Sequence, residues 1–350
     1  MRTAESEELI RSSLVHGRFY NPEPCDSTGL MHILLVKTSS LGDVVHNLPV
    51  ITDLKARMPD ATVDWVVEEA FADIPRLHPA VRNVIPVALR RWRKALFTSS
   101  TWREMRAFRR DLRAQTYDVV LDTQGLIKSG LITTQARMAP GGQRCGYSRE
   151  VAREGLAAYC YDATFTIPVS AHAVERNRWL AAAAFDYPLD APLDFGIAAP
   201  ELRADWQTQQ PCAVLLTGTS RADKLWPEAD WIQLGQALAA RGLISLLPAG
   251  SDEERARAHR LALQIPGSIV APPLRVKELA GLFAGASIVV GLDSGLTHLA
   301  VALGKSTVGL FCGSDPDLTG LHAGSRARNL GRRGTPPSAE AVITAAVALL

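Results

Sequence analysis

The sequence predicts an α/β fold made of two Rossmann-like, doubly wound halves facing a cleft. Three observations predict it. Short apolar runs of strand length alternate with helical stretches, the alternation pauses at a Pro-rich stretch near 188–200 and restarts, and 350 residues suit two domains of about 150 each.

The elements follow in order. Residues 1–30 are polar, mixed in charge and without sustained periodicity, and Asn21-Pro22-Glu23-Pro24 breaks any helix before it, so this stretch is read as an extension outside the fold. The pattern changes at Met31. His32-Ile33-Leu34-Leu35-Val36 has the continuous apolar character of a strand buried on both faces. A small-residue loop, Thr38-Ser39-Ser40-Leu41-Gly42, leads to a helical pattern from Asp43 to about Met58. Further strands are expected at 63–67, 83–87 and 119–121, with a helix over 102–115. In the second half strands are expected at 213–216, 244–247, 269–270, 288–291 and 307–311. Helices are expected at 228–241, 252–264, 276–284 and 295–303, and the weakly polar 338–350 should pack as a last helix. The implied division is 1–30 extension, 31–187 first domain and 188–350 second domain.

Composition narrows the class. Hydrophobic residues make up 47% and charged residues 21%, which suits a globular chain rather than a disordered one. No apolar run approaches the roughly 20 residues of a membrane-spanning helix, and no basic-then-apolar leader opens the chain, so a cytoplasmic protein is expected. Cys25, Cys145, Cys160, Cys212 and Cys312 are scattered without a C-x-x-C pair, which reads as free thiols rather than a zinc site. A net charge of +2 gives no reason to expect nucleic acid as a partner.

The first strand–turn–helix holds a single glycine, Gly42, where a dinucleotide site would carry G-x-G-x-x-G, which argues against a nicotinamide or flavin enzyme. Asp43, at the start of the helical pattern, is either a helix cap or a general base in a cleft. Lys224, with Thr219 and Ser220, is either a solvated surface group or a cation that stabilises a phosphate. Asp293-Ser294-Gly295-Leu296 follows a strand and opens a helix, so its backbone N–H groups suit an anion. Asp293 can equally cap that helix, and His298 can equally be a core residue. Asp315-Pro316-Asp317 has the D-x-D form of some metal sites, but no metal ligand is expected there.

Several motifs in series resemble one family. Lys37-Thr38-Ser39-Ser40-Leu41-Gly42-Asp43, His46-Asn47-Leu48-Pro49, Asp122-Thr123-Gln124-Gly125-Leu126-Ile127-Lys128-Ser129, His172-Ala173-Val174-Glu175-Arg176, Asp223-Lys224-Leu225-Trp226-Pro227 and Asp293-Ser294-Gly295-Leu296-Thr297-His298 occur in order. The sequence resembles the ADP-heptose:lipopolysaccharide heptosyltransferases over about 31–320, and Lys37 with the Arg90–Lys94 cluster favours the type I branch. The resemblance implies a GT-B fold and inverting transfer of L-glycero-D-manno-heptose from ADP-heptose to the Kdo of Kdo-lipid A, with no cofactor. It implies Asp43 as base and Thr219, Ser220, Lys224, Asp293, Ser294, Gly295, Leu296 and His298 around the donor. Glu254 is implied at the donor ribose, although a first-turn helix charge explains it as well. It implies Arg90, Arg91, Arg93, Lys94 and Arg153 at the acceptor, and peripheral contact with the cytoplasmic face of the inner membrane. The alternatives are a type II-like or other GT-B transferase, a nicotinamide oxidoreductase, or a non-catalytic nucleotide-sugar binder.

Charge distribution adds one expectation. Nine basic residues stand against two acidic ones between Leu89 and Arg113. Trp102, Met105, Phe108 and Leu112 are expected as a buried stripe, with Arg103, Arg106, Arg110 and Arg113 on a separate basic face.

Overall fold

The computed structural model describes residues 30–202, 206, 210–219, 221–322 and 324–350; Cys25 and the rest of 1–29, and Ser220, lie outside the described residues. The chain divides into two compact units, one ending at Gly196 and one running from Ile197 to Leu350.

In the first unit the order is β1 (His32–Val36), α1 (Leu41–Val45), α2 (Leu48–Arg57), β2 (Thr62–Glu68), α3 (Asp73–Arg76), β3 (Val81–Val87), α4 (Leu89–Trp92), α5 (Ser99–Leu112), β4 (Thr116–Asp122), α6 (Ile127–Thr133), β5 (Arg137–Tyr147), β6 (Ala163–Phe165) and α7 (Ala173–Ala184). The strands form one sheet in the order β3-β2-β1-β4-β5-β6, with every pair parallel. Ile33 to Val36 are fully buried, as the centre of a sheet covered on both faces requires.

The second unit runs β7 (Cys212–Leu216), α8 (Glu228–Ala239), β8 (Ile244–Leu247), α9 (Asp252–Ala262), β9 (Ile269–Val270), α10 (Val276–Gly285), β10 (Ile288–Leu292), α11 (Gly295–Ala302), β11 (Thr307–Leu310), β12 (Ala327–Leu330) and α12 (Ala339–Val347). Its parallel sheet has the order β12-β11-β10-β7-β8-β9. Counted within each unit, both sheets follow the order 3-2-1-4-5-6 of dinucleotide-binding folds. Val342 and Ala346 of α12 are buried in the second core.

Several expectations need correction. The single helix expected from Asp43 to Met58 is two helices. Pro49, in the first turn of α2, has no N–H to donate and its ring would clash with the carbonyl four residues earlier. β5, β6 and β12 carry no continuous apolar run and were not expected. β5 holds Pro140-Gly141-Gly142, and a Cβ on Gly142 would lie 2.9 Å from the Asp118 carbonyl oxygen, so glycine permits the close approach to β4. The buried stripe of α5 is also turned. Thr101, Phe108 and Leu112 are buried with Met105 packed beside them, whereas Trp102 is 52% exposed. Positions 101, 105, 108 and 112 share one helical face, and 102 lies about 100° around from it.

α2 and α7 are joined by a buried ion pair. Arg178 donates from Nε and Nη2 to Asp53 at 2.7 and 2.9 Å, and both side chains are almost fully buried. Removing the arginine leaves a buried carboxylate without its counter-charge. Arg178→Ala is expected to destabilise the protein by about 3–5 kcal/mol, read as a lower urea midpoint, with a smaller loss in the double variant that also carries Asp53→Ala.

Candidate active site

In an open parallel sheet, loops leave in opposite directions on either side of the first strand, and the crevice opens at the C-terminal ends of the strands. Each unit gathers its polar residues at that position: between β1 and β4 in the first, and between β7 and β10 in the second.

In the first unit the turn after β1 is held from β4. Gln124 Oε1 accepts from the backbone N–H groups of Thr38 and Ser39, both at 3.1 Å. Asp122, buried at the end of β4, accepts from the N–H groups of Gln124 at 2.7 Å and Gly125 at 3.2 Å and from Tyr161 OH at 2.7 Å. Gly125 has φ +65°, and a Cβ there would meet Tyr147 at 3.2 Å and the Arg153 backbone nitrogen at 3.4 Å. Its glycine thereby lets the Arg153 segment lie against the end of β4.

Asp43 is not the N-cap. Ser40 takes that position, and Asp43 is the third residue of the helix, closing a capping box. Its Oδ2 accepts from Ser40 N at 2.8 Å and Ser40 Oγ at 3.0 Å, and stands 3.6 Å from Arg153 Nη1. Among the described residues these partners all converge on Oδ2, and none occupies Oδ1. Burial alone would raise the carboxyl's pKa, but Lys37, Arg153 and the Ser40 bonds outweigh it and hold Asp43 below the ordinary carboxylate range. Lys37 is buried beneath it, donating from Nζ to the Thr123 carbonyl at 2.7 Å and to Asn177 Oδ1 at 3.4 Å. Burial pushes its ammonium down to about 8 against the pull of Asp43.

The basic segment after β3 is not uniform. Arg91 is bound by carboxylates, with Nε and Nη2 both 3.0 Å from Glu69 and Nη1 2.7 Å from Glu104. Arg90 lies over the Phe71 ring with its guanidinium carbon 5.0 Å from the centroid. Arg93 and Lys94 are exposed and, among the described residues, form no ion pair.

In the second unit Lys224, Asp293, His298 and Ser314 come together. Asp293 Oδ2 accepts from Lys224 Nζ at 2.6 Å and Ser314 Oγ at 2.5 Å, and Oδ1 is 3.8 Å from His298 Nε2. Burial would raise this carboxyl too, but the His298 imidazole, the Lys224 ammonium and the Ser314 hydroxyl hold it well below the usual range. Asp293 therefore does not cap α11. Ser294 is the N-cap, and Gly295 and Leu296 open the first turn, where N–H groups have no intrahelical acceptor. The Lys224 turn is fixed by Trp226, which is fully buried, donates from Nε1 to the Pro337 carbonyl at 2.8 Å and packs edge-on to Trp231.

Beside this cluster is a cavity of about 110 Å³ walled by Leu216, Pro248, Leu274, Leu279 and Leu296, with Glu254 in its lining. Glu254 accepts from the N–H groups of Gly250 at 2.8 Å and Ser251 at 3.2 Å, closing the capping box of α9. A Cβ on Gly218 would lie 2.4 Å from Glu254 Oε1, so that glycine leaves the carboxylate its place. Thr219 lies in the adjoining loop after β7. Asp315 and Asp317 are exposed, and among the described residues no three His, Cys, Asp or Glu side chains are arranged so that they could hold a metal ion.

Gln124, Asp122, Ser314 and the walls Leu216, Leu274 and Leu279 were given no site role from sequence, whereas Leu296 was. Gln124 and Asp122 stand in a motif already singled out; Ser314 and those three leucines carry no local signal.

Two parallel α/β units of one strand order, each with polar groups collected at its switch point, have the architecture of the GT-B class. The profile of glycosyltransferase family 9 (heptosyltransferase) matches residues 105–346. Lipopolysaccharide heptosyltransferase 1 of Pseudomonas aeruginosa is 44% identical over 297 residues, 85% of this chain and 82% of that protein. The structure of E. coli heptosyltransferase WaaC with ADP is 39% identical with a TM-score of 0.82, over 90% of this chain and 98% of that one. WaaC with ADP-2-deoxy-2-fluoro heptose is 38% identical with a TM-score of 0.79, over 91% and 98%. The chain belongs to glycosyltransferase family 9, the heptosyltransferases.

The buried Lys37 makes the pH dependence of stability testable. Its folded pKa, about 8, lies below the 10.5 of the free side chain. Between those values the unfolded chain binds the extra proton, so stability from this group rises with pH, by at most about 1.4 kcal/mol per pH unit. Relative to Lys37→Met, the wild-type urea midpoint is expected to climb from pH 8 to pH 10; parallel profiles would show that Lys37 titrates normally.

Proposed function

We propose that this enzyme transfers L-glycero-D-manno-heptose from ADP-heptose to the Kdo sugar of Kdo-lipid A, with inversion at the anomeric carbon, in lipopolysaccharide inner-core synthesis. The observation that carries the reading is Asp43: a carboxylate kept ionised in the first turn of α1, with Oδ2 anchored by Ser40 and Oδ1 left to act. The names of its relatives give the sugar and the pathway.

In this reaction the acceptor hydroxyl oxygen bonds to the anomeric carbon while the bond from that carbon to the β-phosphate oxygen breaks. The hydroxyl proton passes to Asp43 Oδ1, and ADP leaves with the bonding pair. The negative charge on the departing phosphate falls to Lys224 and the first N–H groups of α11. An ammonium has three donors, and Asp293 takes one of them, so Asp293 holds Lys224 in place while the others reach the phosphate. The leucine-walled cavity suits an adenine, and Glu254 beside it suits ribose hydroxyls. The acceptor's carboxylates and phosphates suit Arg153, Arg93 and Lys94. A lipid-borne acceptor implies peripheral contact with the membrane; among the described residues no helix is long and apolar enough to cross one.

Asp43→Asn keeps the capping geometry and removes the base. It is expected to lower turnover at least ~100-fold with ADP-heptose affinity nearly unchanged, measured by ADP release with Kdo-lipid A; near-normal turnover would leave Asp43 as a structural group.

The basic segment is expected to divide by function. Replacing Arg93 and Lys94 by Ser should raise the acceptor KM about tenfold or more, the scale of a lost charge-assisted contact, with the donor KM unchanged. Arg91→Ser should instead loosen the segment by freeing Glu69 and Glu104, read as faster proteolysis between 88 and 99. Equal effects of both variants on acceptor KM would show Arg91 to be a direct contact.

A further inference from the structure

The connection from α4 into α5 exposes large apolar side chains that no core needs. Leu96 is 44% exposed, Trp102 is 52% exposed and Phe97 is wholly exposed. They lie within seven residues of one another, and the segment that carries them is pinned from below. Glu104 accepts from Trp92 Nε1 at 2.8 Å and pairs with Arg91, and Trp92 packs edge-on against Phe108. Burial inside the unit would favour the Leu96 and Phe97 side chains, yet the segment anchored through Trp92 and Glu104 presents them outward.

Charge surrounds them. Arg93 and Lys94 precede Leu96, and Arg103 follows Trp102; all three are exposed and, among the described residues, without an ion pair. On α5 the spacing extends the pattern. Trp102, Arg106, Arg109 and Arg113 stand at i, i+4, i+7 and i+11, one outward face with an aromatic at its start and exposed arginines along it. Aromatic and aliphatic groups among unpaired cations match an anionic lipid surface, where rings sit at headgroup level and basic residues meet lipid phosphates. The connection and the start of α5 follow β3, so they stand at the C-terminal ends of the strands, as Asp43 does after β1.

We propose that Leu96, Phe97 and Trp102, with the arginine face of α5, form a footing that seats the first unit on an anionic bilayer and so brings Asp43 to acceptors embedded in it. This rests on the reading that the acceptor is a membrane lipid. The footing binds bulk lipid and is distinct from the contacts that recognise the acceptor sugar.

The test uses the full chain and vesicles of phosphatidylglycerol in phosphatidylcholine, with phosphatidylcholine vesicles as the neutral control. The wild type is expected to float with the anionic vesicles, less so as salt rises, and not with the neutral ones. Phe97→Ser/Trp102→Ser should partition at least ~10-fold less and lose the same factor in transfer to vesicle-embedded Kdo-lipid A, while transfer to the deacylated, soluble acceptor is unchanged. Brominated lipid should quench tryptophan fluorescence in the wild type and less in Trp102→Phe. Undiminished flotation of the double variant, equal binding of the wild type to neutral vesicles, or parallel losses on soluble and embedded acceptors would each overturn the footing. Wild-type flotation without transfer to the soluble acceptor would instead overturn the proposed function and leave the footing standing.

Discussion

The pairing of the first strand of each unit with parallel neighbours on both sides is the constraint on which the rest of the structure depends. Parallel partners cannot be joined by a hairpin, so each connection crosses a face of the sheet, and the crossovers share one hand. β1 lies between β2 and β4, and β7 between β8 and β10. The chain therefore leaves the two sides of the central strand toward opposite faces, and a crevice must open where they part. Hydrogen bonds that shape the first site span that crevice: Gln124, at the end of β4, holds the turn after β1. In the second unit the span is an ion pair, Lys224 after β7 to Asp293 after β10.

The two crevices use one electrostatic device for opposite ends. Each buries a carboxylate and surrounds it with cations and donors that keep it ionised. At Asp43 the donors gather on one oxygen, so the other is available to a proton. At Asp293 both oxygens face partners, and the carboxylate works as a holder of Lys224 and Ser314. In the proposed reaction a base must accept a proton briefly and return it, whereas a phosphate site must keep its cation in position. The difference in how the lone pairs are committed separates the roles more sharply than the shared direction of the pKa shifts does.

What was legible in the sequence follows from what is local. Central strands announce themselves because burial on both faces demands continuous apolar residues, as in Ile33 to Val36. β12, with Ala-Arg-Asn-Leu at the edge of its sheet, and β5, broken by Pro140-Gly141-Gly142, lack that demand and gave no signal. Asp43 was recognisable as a residue of interest, but its place in the third position of a capping box was not, because the helix begins two residues earlier, at Leu41. The misplaced face of α5 has a similar origin: Thr101 is polar, so pattern reading passed over it for Trp102, the larger apolar neighbour. Arg91 was grouped with Arg90, Arg93 and Lys94 by the family resemblance of the segment. Its partners Glu69 and Glu104 stand in the turn directly after β2 and on α5, and only folding brings them to it.

That pairing changes how the basic segment works. A free cluster of arginines would be ordered only by its ligand, and the ligand would bear the entropic cost of fixing long side chains. Here three carboxylates do the ordering in advance. Glu68 accepts from the Arg90 backbone N–H at 3.1 Å, Glu69 grips the Arg91 guanidinium, and Glu104 joins Arg91 to the Trp92 indole. The segment thus spends one of its cations on its own shape. Arg93 and Lys94 then stand on a fixed base with their charge uncommitted, and Phe97 is held clear of the core. The acidic residues of this region, which a count of charges would set against anion binding, order the segment and leave the charge of Arg93 and Lys94 uncommitted.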